Sequence, residues 1–511
     1  MRNRPLNLKG CVWPALLSVT GLSFWFFLGF PFANHNESFA WTAIIRRAGL
    51  IESLMPGVGL SRTYRPLGQL AAVGGYWLSE GRIFPVQLFN FVLAAAALAV
   101  VTCTSQQKTV TALLAALVGG TFFGGFIYLF HLHGTFYSPV LLMIPVLLWV
   151  FRENVLDSFS TDLISWSVAL VAFLFHPYAL MIFVAMYAGF FVRRLGGMKT
   201  QSRSIAAILG LIIVGASVVL ILLAKPPDYD EWSWDNLQAW LATFRSTEIH
   251  WSLSGLAALL AGVAVLDLLG THRTRLFAAA ALAVLSGFLV WLDLPVLILW
   301  AVACLARALI LSNWPLAGLI GISLFLPAVS PTGSPTYGLF ALVGCIIATS
   351  FENRLLSVRE DVSTQRRLAL SLLLVSAVVL IVLRLGIGLP VISRFAQPLL
   401  AEREKTYQLE EIVSWWEASD YRAMRLTLYR NADNPVASSG EPRGRRFRPP
   451  TYQSYLDVYT GRPPSHAPDT DGTLLVTFGN DAIEGVPPLR IVEGPFAGPA
   501  RVYLSNVAGA R

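Results

Sequence analysis

Two short runs hold the side chains best suited to chemistry. Asn34-His35-Asn36-Glu37 offers a carboxylate able to take a proton from a hydroxyl, with an imidazole two residues before it. Arg62-Thr63-Tyr64-Arg65 offers a phenol and two guanidinium groups, whose forked donors match phosphate oxygens. A base and a phosphate-holding cation suffice to move a group from a phosphate ester onto a hydroxyl, because the cation holds the charge that grows on the leaving phosphate. The competing expectation is structural: Glu37 caps a helix beginning near Ser38, and the arginines reach out to lipid headgroups.

His35, His131, His133 and His176 offer imidazoles that relay protons or bind metal elsewhere, and are expected here as plain loop residues. Lys225, Asp228, Asp230, Glu231, Arg245, Glu248 and His250 share one Trp-rich loop and are expected to be solvated rather than catalytic. Cys11, Cys103, Cys304 and Cys345 lie in or beside apolar runs without metal-type spacing, and are expected as small core residues. No cofactor is expected, and nothing in the spacing supports a divalent metal.

The elements that must position these groups follow from composition. The 511 residues are 55% hydrophobic and 13% charged, where a soluble globular chain carries about 25% charged residues. Apolar runs are predicted near 11–32, 86–103, 109–130, 136–151, 162–175, 178–192, 204–224, 252–270, 276–291, 294–311, 314–329, 337–350 and 368–390. Read as spans of a hydrocarbon core about 30 Å thick, they make an all-α polytopic membrane protein of about 13 transmembrane helices. The first run follows the basic start MRNRPLNLKG but exceeds a signal h-region, and is expected to remain as the first span. Despite a net charge of +8, the basic residues form no stripe with interleaved aromatics, so no nucleic-acid partner is expected.

Lys and Arg orient the array, since short cytoplasmic loops are enriched in them. With the N-terminus inside, Lys108, Arg152, Arg193, Arg194, Lys199, Arg203, Arg273, Arg275, Arg354, Arg359, Arg366 and Arg367 all fall on the cytoplasmic side. The opposite short loops at 131, 176, 292 and 330 carry none. Residues 1–394 are therefore expected as a transmembrane domain with extracytoplasmic loops 33–85 and 225–251. Residues 395–511 are expected as a small mixed α/β extracytoplasmic domain, with one helix over 402–430 and strands in TLLVTFG, PLRIVEG and ARVYLSN. In the first loop, 37–54 has helical apolar spacing and is expected to lie along the membrane surface. The implied location is a bacterial inner membrane.

Glu37 after the first span, then Tyr64-Arg65-Pro66-Leu67, Tyr76-Trp77 and Asn90, resemble the GT-C superfamily of membrane glycosyltransferases. The likeness is to the branch related to protein O-mannosyltransferases, with its Tyr-Arg-Pro-Leu signature. A looser match is SPTGSPTYGLFALVGC at 330, where such proteins carry an aromatic-rich segment before a late span. The resemblance implies a polyprenyl-phosphate-linked sugar donor, a glycan, lipid or protein acceptor, and inverting transfer outside the cytoplasm. Under that resemblance Glu37 is the candidate catalytic base and Arg62, Tyr64 and Arg65 are candidate substrate-binding residues, with His35, two residues before Glu37, as a further candidate in the same loop. The chain departs from the family's acidic pair, carrying Asn36-Glu37 instead. Ser414-Trp415-Trp416-Glu417 shares its Trp pair with the Trp-Trp-Asp-Tyr-Gly element of oligosaccharyltransferases but lacks Asp and Tyr-Gly, and is expected to pack its helix on the membrane.

The competing functions are a multi-span transporter or flippase of lipid-linked carbohydrate, a lipid-carbohydrate ligase or polymerase, and a non-catalytic scaffold. Transporters place ionisable residues near the midplane of their spans. Here Asp267, Arg307 and Arg384 stand near span ends, which favours chemistry at the outer surface.

Overall fold

In the computed structural model, the described residues are mainly 10–28, 65–78, 84–121, 132–153, 158–195, 250–269, 271–291, 297–329, 334–351, 401–428, 472–479 and 485–504, with short gaps. The protein is mostly helical with a small sheet. Contacts divide it into two compact units, one of residues 1–26, 61–72 and 87–382 and one of 27–60, 73–86 and 383–511.

The helices among the described residues mostly follow the apolar runs. They are α1 Val12–Ser18, α2 Thr20–Leu28, α3 Pro66–Leu78, α4 Phe84–Thr104, α5 Lys108–Thr121, α6 Ser138–Glu153, α7 Ser158–Phe175, α8 Pro177–Leu195, α9 His250–Leu266, α10 His272–Trp291, α11 Leu297–Ile310, α12 Trp314–Val329 and α13 Ser334–Ser350. The first run is divided at Val19. Helix α3 was not expected; it opens with Pro66, whose missing N–H and preset φ suit a first helical position. The predicted spans 204–224 and 368–390 lie largely or wholly outside the described residues.

Pro85–Thr104 and Gly134–Phe151 are long and apolar enough, among the described residues, to cross a membrane; seven further apolar helices run 10–17 residues. Pro145 stands inside α6, removing one N–H from its ladder. The closest helix contact is α8 on α12: a Cβ at Gly189 would strike the backbone of Trp314–Pro315, and one at Gly318 would strike the backbone of Ala185. Small residues here let two backbones approach directly, which trades side-chain bulk for dispersion along the seam. Phe26 stacks on Phe91 at 4.3 Å, bringing α2 to α4.

Hydrogen bonds gather the ends of the helices into two groups. At one end, Ser138 Oγ donates to Asn90 Oδ1 at 2.8 Å, joining the starts of α6 and α4. At the other, Arg307 of α11 is buried and donates to the carbonyls of Ala348, Ala264 and Phe351 at 3.0, 3.0 and 3.1 Å, and to Asp267 Oδ2 at 3.1 Å. Ala264 and Ala348 are among the last four carbonyls of α9 and α13, which no helical N–H reaches, so one guanidinium caps two helices. Asn353 Nδ2 donates to Val263 O at 2.8 Å and Gln107 Nε2 to Asn353 O at 2.7 Å, extending the same group to the α4–α5 turn.

The second unit contains a helical stretch over 407–418, a 3-10 turn Asp420–Ala423, and strands β1 Arg425–Leu428, β2 Thr473–Phe478, β3 Arg490–Val492 and β4 Ala500–Leu504. The sheet order is β1-β2-β4-β3, with β1 and β2 parallel and the other pairs antiparallel. The three predicted strands are present. The helix predicted over 402–430 stops early: Ser419 adopts extended backbone, its hydroxyl accepts from Tyr421 N, and 425–428 joins the sheet.

Leu409, Ile412, Val413 and Trp416 recur at helical spacing and bury one face against Leu426, Leu474, Val476, Val492, Ala500 and Val502. Trp416 Nε1 donates to Met424 O at 3.0 Å, and Trp415 packs on Tyr421. The expected packing of this Trp pair on the membrane is thereby corrected for Trp416, which belongs to the core of its own unit because the strands offer a matching apolar face. Gln408 and Glu404 tie the helix to the β3–β4 turn, Gln408 Nε2 donating to Val492 and Gly498 carbonyls and Glu404 accepting from the Phe496 and Ala497 amides.

Candidate functional site

Of the sequence-predicted site residues, Arg65 is described; His35, Glu37, Arg62 and Tyr64 lie outside the described residues, as do Asn36 and the loop 225–249. Arg65 immediately precedes α3, and its carbonyl accepts the first helical bond, from Gln69 N at 2.9 Å. The Arg65 side chain therefore leaves the chain where α3 begins, at the end of the helical unit marked by Asn90 and Ser138.

Its guanidinium lies over the Phe136 ring, 5.1 Å from the centroid. The negative face of the ring attracts the cation by about 0.5–2 kcal/mol, more as water is excluded. Arg65 Nε is buried and has no hydrogen-bond partner among the described residues. A guanidinium steered by an aromatic face and left with an unused buried donor suits an incoming oxyanion, which would accept from it in a charge-assisted bond.

The support under Arg65 comes from the junctions α5–α6 and α7–α8. A short 3-10 helix, Leu132–Phe136, precedes α6. Gly68 admits it: a Cβ there would collide with the Phe136 ring and reach 3.0 Å from Phe175 O. His176, between α7 and α8, is buried, 4.7 Å from the Tyr137 ring and 5.8 Å from the Tyr178 ring by centroids. It was expected as a plain loop residue; it is instead a packed member of this end of the unit. Burial, and then the nearby positive charge of Arg65, hold its imidazole well below the ordinary histidine range. His176 is therefore neutral near pH 7 and adds no second cation beside Arg65.

Asn90 is wholly buried through its bond with Ser138, next in sequence to Tyr137. Gln69 of α3 and Gln87 of α4 are also buried. Arg65 and Asn90 are legible in the sequence by motif, whereas Phe136, Tyr137 and the packed state of His176 are not. The signal for these was present only as a lack of Lys and Arg in the 131 and 176 loops, which says side, not proximity. Trp77, singled out with Tyr76, is exposed near the end of α3. Among the described residues no group of three or more His, Cys, Asp or Glu converges as metal ligands.

No family model, curated protein or solved structure matches the chain.

Proposed function

We propose that this chain is a polytopic protein of a bacterial inner membrane, with a cytoplasmic N-terminus and an extracytoplasmic C-terminal unit. The large apolar side chains left exposed support this reading: Leu16, Leu163, Leu259, Phe277, Val284 and Ile310, on helices α1, α7, α9, α10 and α11, are each more than half exposed. Water-soluble monomers rarely present contiguous apolar patches above a few hundred Å². Helix α10 is exposed along most of its apolar length, as a helix bordered by lipid would be.

On this platform we infer an inverting glycosyltransferase that takes a sugar from a polyprenyl-phosphate donor on the extracytoplasmic face. The observation that carries it is Arg65, seated over Phe136 with a buried Nε that has no partner among the described residues, within the Tyr64-Arg65-Pro66-Leu67 run. In the proposed step the acceptor hydroxyl oxygen attacks the anomeric carbon from the face opposite the phosphate. The carbon–oxygen bond to phosphate breaks, and its electrons leave with the polyprenyl phosphate. Glu37 takes the hydroxyl proton, and Arg65, assisted by Arg62, donates to the departing phosphate oxygens, with His35 and Tyr64 lining the donor. Proteins that carry substrates place charges near the midplane, whereas Asp267 and Arg307 are paired at helix ends.

Glu37→Gln tests the assignment. Sugar transfer from a polyprenyl-phosphate donor in proteoliposomes is expected to fall by about 10²–10⁴ while donor binding persists. Transfer at the unaltered rate would remove Glu37 from the chemistry.

A further inference from the structure

A second site lies at the opposite end of the helices that carry Arg65's surroundings. A cleft opens there between α4, α6, α8, α12 and α13. Val101, Leu148 and Ile347 give it an apolar floor, while Ser105, Asn313 and Arg193 supply polar lining. Along α8, Tyr178 and Arg193 are fifteen residues apart, or about 22 Å at about 1.5 Å per residue, so the cleft and the Arg65 site face opposite ends of one helix layer.

The local sequence builds the cleft. Helix α11 stops because Ser312 takes left-handed backbone, φ 54°, and Asn313 N turns back to Ala308 O at 2.8 Å. This tight reversal sets Asn313 and Pro315 on the wall. Pro145 cannot complete the backbone ladder of α6 and also lines the space.

No acidic side chain lines the cleft among the described residues, and Arg193 is its one charged lining residue there. Arg193 is exposed and makes no hydrogen bond or ion pair among the described residues. A cation at the rim with no partner among the described residues, hydroxyl and amide donors beside it and an apolar floor below together fit an amphiphile with an anionic head. Basic pockets between helices on the cytoplasmic side of membrane proteins take such headgroups. The orientation proposed above puts the rim on that side, together with Lys108 and Arg273.

We propose that this cleft binds the headgroup of an anionic phospholipid, its phosphate on Arg193 and the start of an acyl chain along Val101, Leu148 and Ile347. The proposal rests on the membrane reading above, but not on the glycosyltransferase reading.

The test uses the full chain purified in a mild detergent, with phosphatidylglycerol, phosphatidylcholine or inorganic phosphate titrated and bound lipid counted by native mass spectrometry. Phosphatidylglycerol is expected to bind in preference to phosphatidylcholine, and Arg193→Gln to weaken it about fivefold, the contribution of one interfacial cation. Arg193→Lys should retain most of the binding. Equal binding of the two lipids, or an unchanged affinity in Arg193→Gln, would overturn the proposal. Displacement of the lipid by inorganic phosphate at equal concentration would also overturn it, since the apolar floor would then contribute nothing.

Side is read separately with Arg193→Cys and an impermeant maleimide, which should label inverted vesicles and not intact cells. Labelling of intact cells would refute the orientation while leaving the lipid preference to stand or fall on the titration. A chain that purified in buffer without detergent would refute the membrane reading itself.

Discussion

The two arginines at opposite ends of the helical unit invite comparison. Arg307 spends its donors on Asp267 and three backbone carbonyls, and is 1% exposed. Arg65 is partly buried, rests on an aromatic face, and keeps a buried Nε without a partner among the described residues. The difference separates a guanidinium used to close helix ends from one with a donor that no described residue takes up, which under the proposed function a donor phosphate would take. A buried charge is retained where its partners are complete, and a buried donor left incomplete is costly.

The sharpest way to break this comparison is to remove Arg307. Arg307→Met leaves Asp267 buried and two helix ends uncapped, and is expected to cost about 3–5 kcal/mol, read as loss of folded protein in detergent and a large fall in melting temperature. Next comes Arg65→Gln, expected to lower sugar transfer by about 10²–10³ with little change in melting temperature. If Arg65→Gln unfolded the protein as Arg307→Met does, both arginines would be structural and the contrast would vanish.

Gly68→Ala sharpens the picture further, since the added methyl displaces Phe136 from beneath Arg65. About 1–3 kcal/mol of stability should be lost by overpacking, and donor affinity should fall with it. Donor affinity preserved in Gly68→Ala would detach Phe136 from the site.

The smallest expected effect is a pH dependence. His176 binds its proton more weakly in the folded protein than unfolded, so its contribution to stability is complete above the ordinary histidine value of about 6.5 and is lost as pH falls below it. The wild-type melting temperature should therefore drop between about pH 6.5 and 5, and His176→Gln should flatten that slope. Arg65→Gln should shrink it, because one of the two causes of the depressed value is removed. An identical slope in all three proteins would show that His176 does not titrate against Arg65.

Much of the fold was legible because apolar runs of span length announce themselves locally. The predicted 86–103 and 178–192 fall within α4 and α8, and the three predicted strands reappear as β2, β3 and β4. Helix α3 was missed because Gly74 and Gly75 weaken any helical pattern, yet it packs through Ala72 and Val73. Strand β1 was absorbed into a predicted helix, since its four residues are too few to show alternation and gain their strand only by pairing with β2. In the candidate site, Arg65 and Asn90 were marked by motif, but Phe136 and His176 reach Arg65 across long separations that no local pattern records. The same is true of Arg307, whose acceptors come from α9 and α13.

The Gly189–Gly318 seam has a consequence for how the chain is made. Its two strips of backbone are separated by more than a hundred residues, so during synthesis α8 must wait with its groove unfilled until α12 emerges. Arg307 waits as well, because α13, which supplies Ala348 O, follows it. Assembly thus cannot proceed helix by helix in order of translation. The late arrival of α12 and α13 sets the moment at which the half-made protein is most open to wrong partners and to quality-control proteolysis.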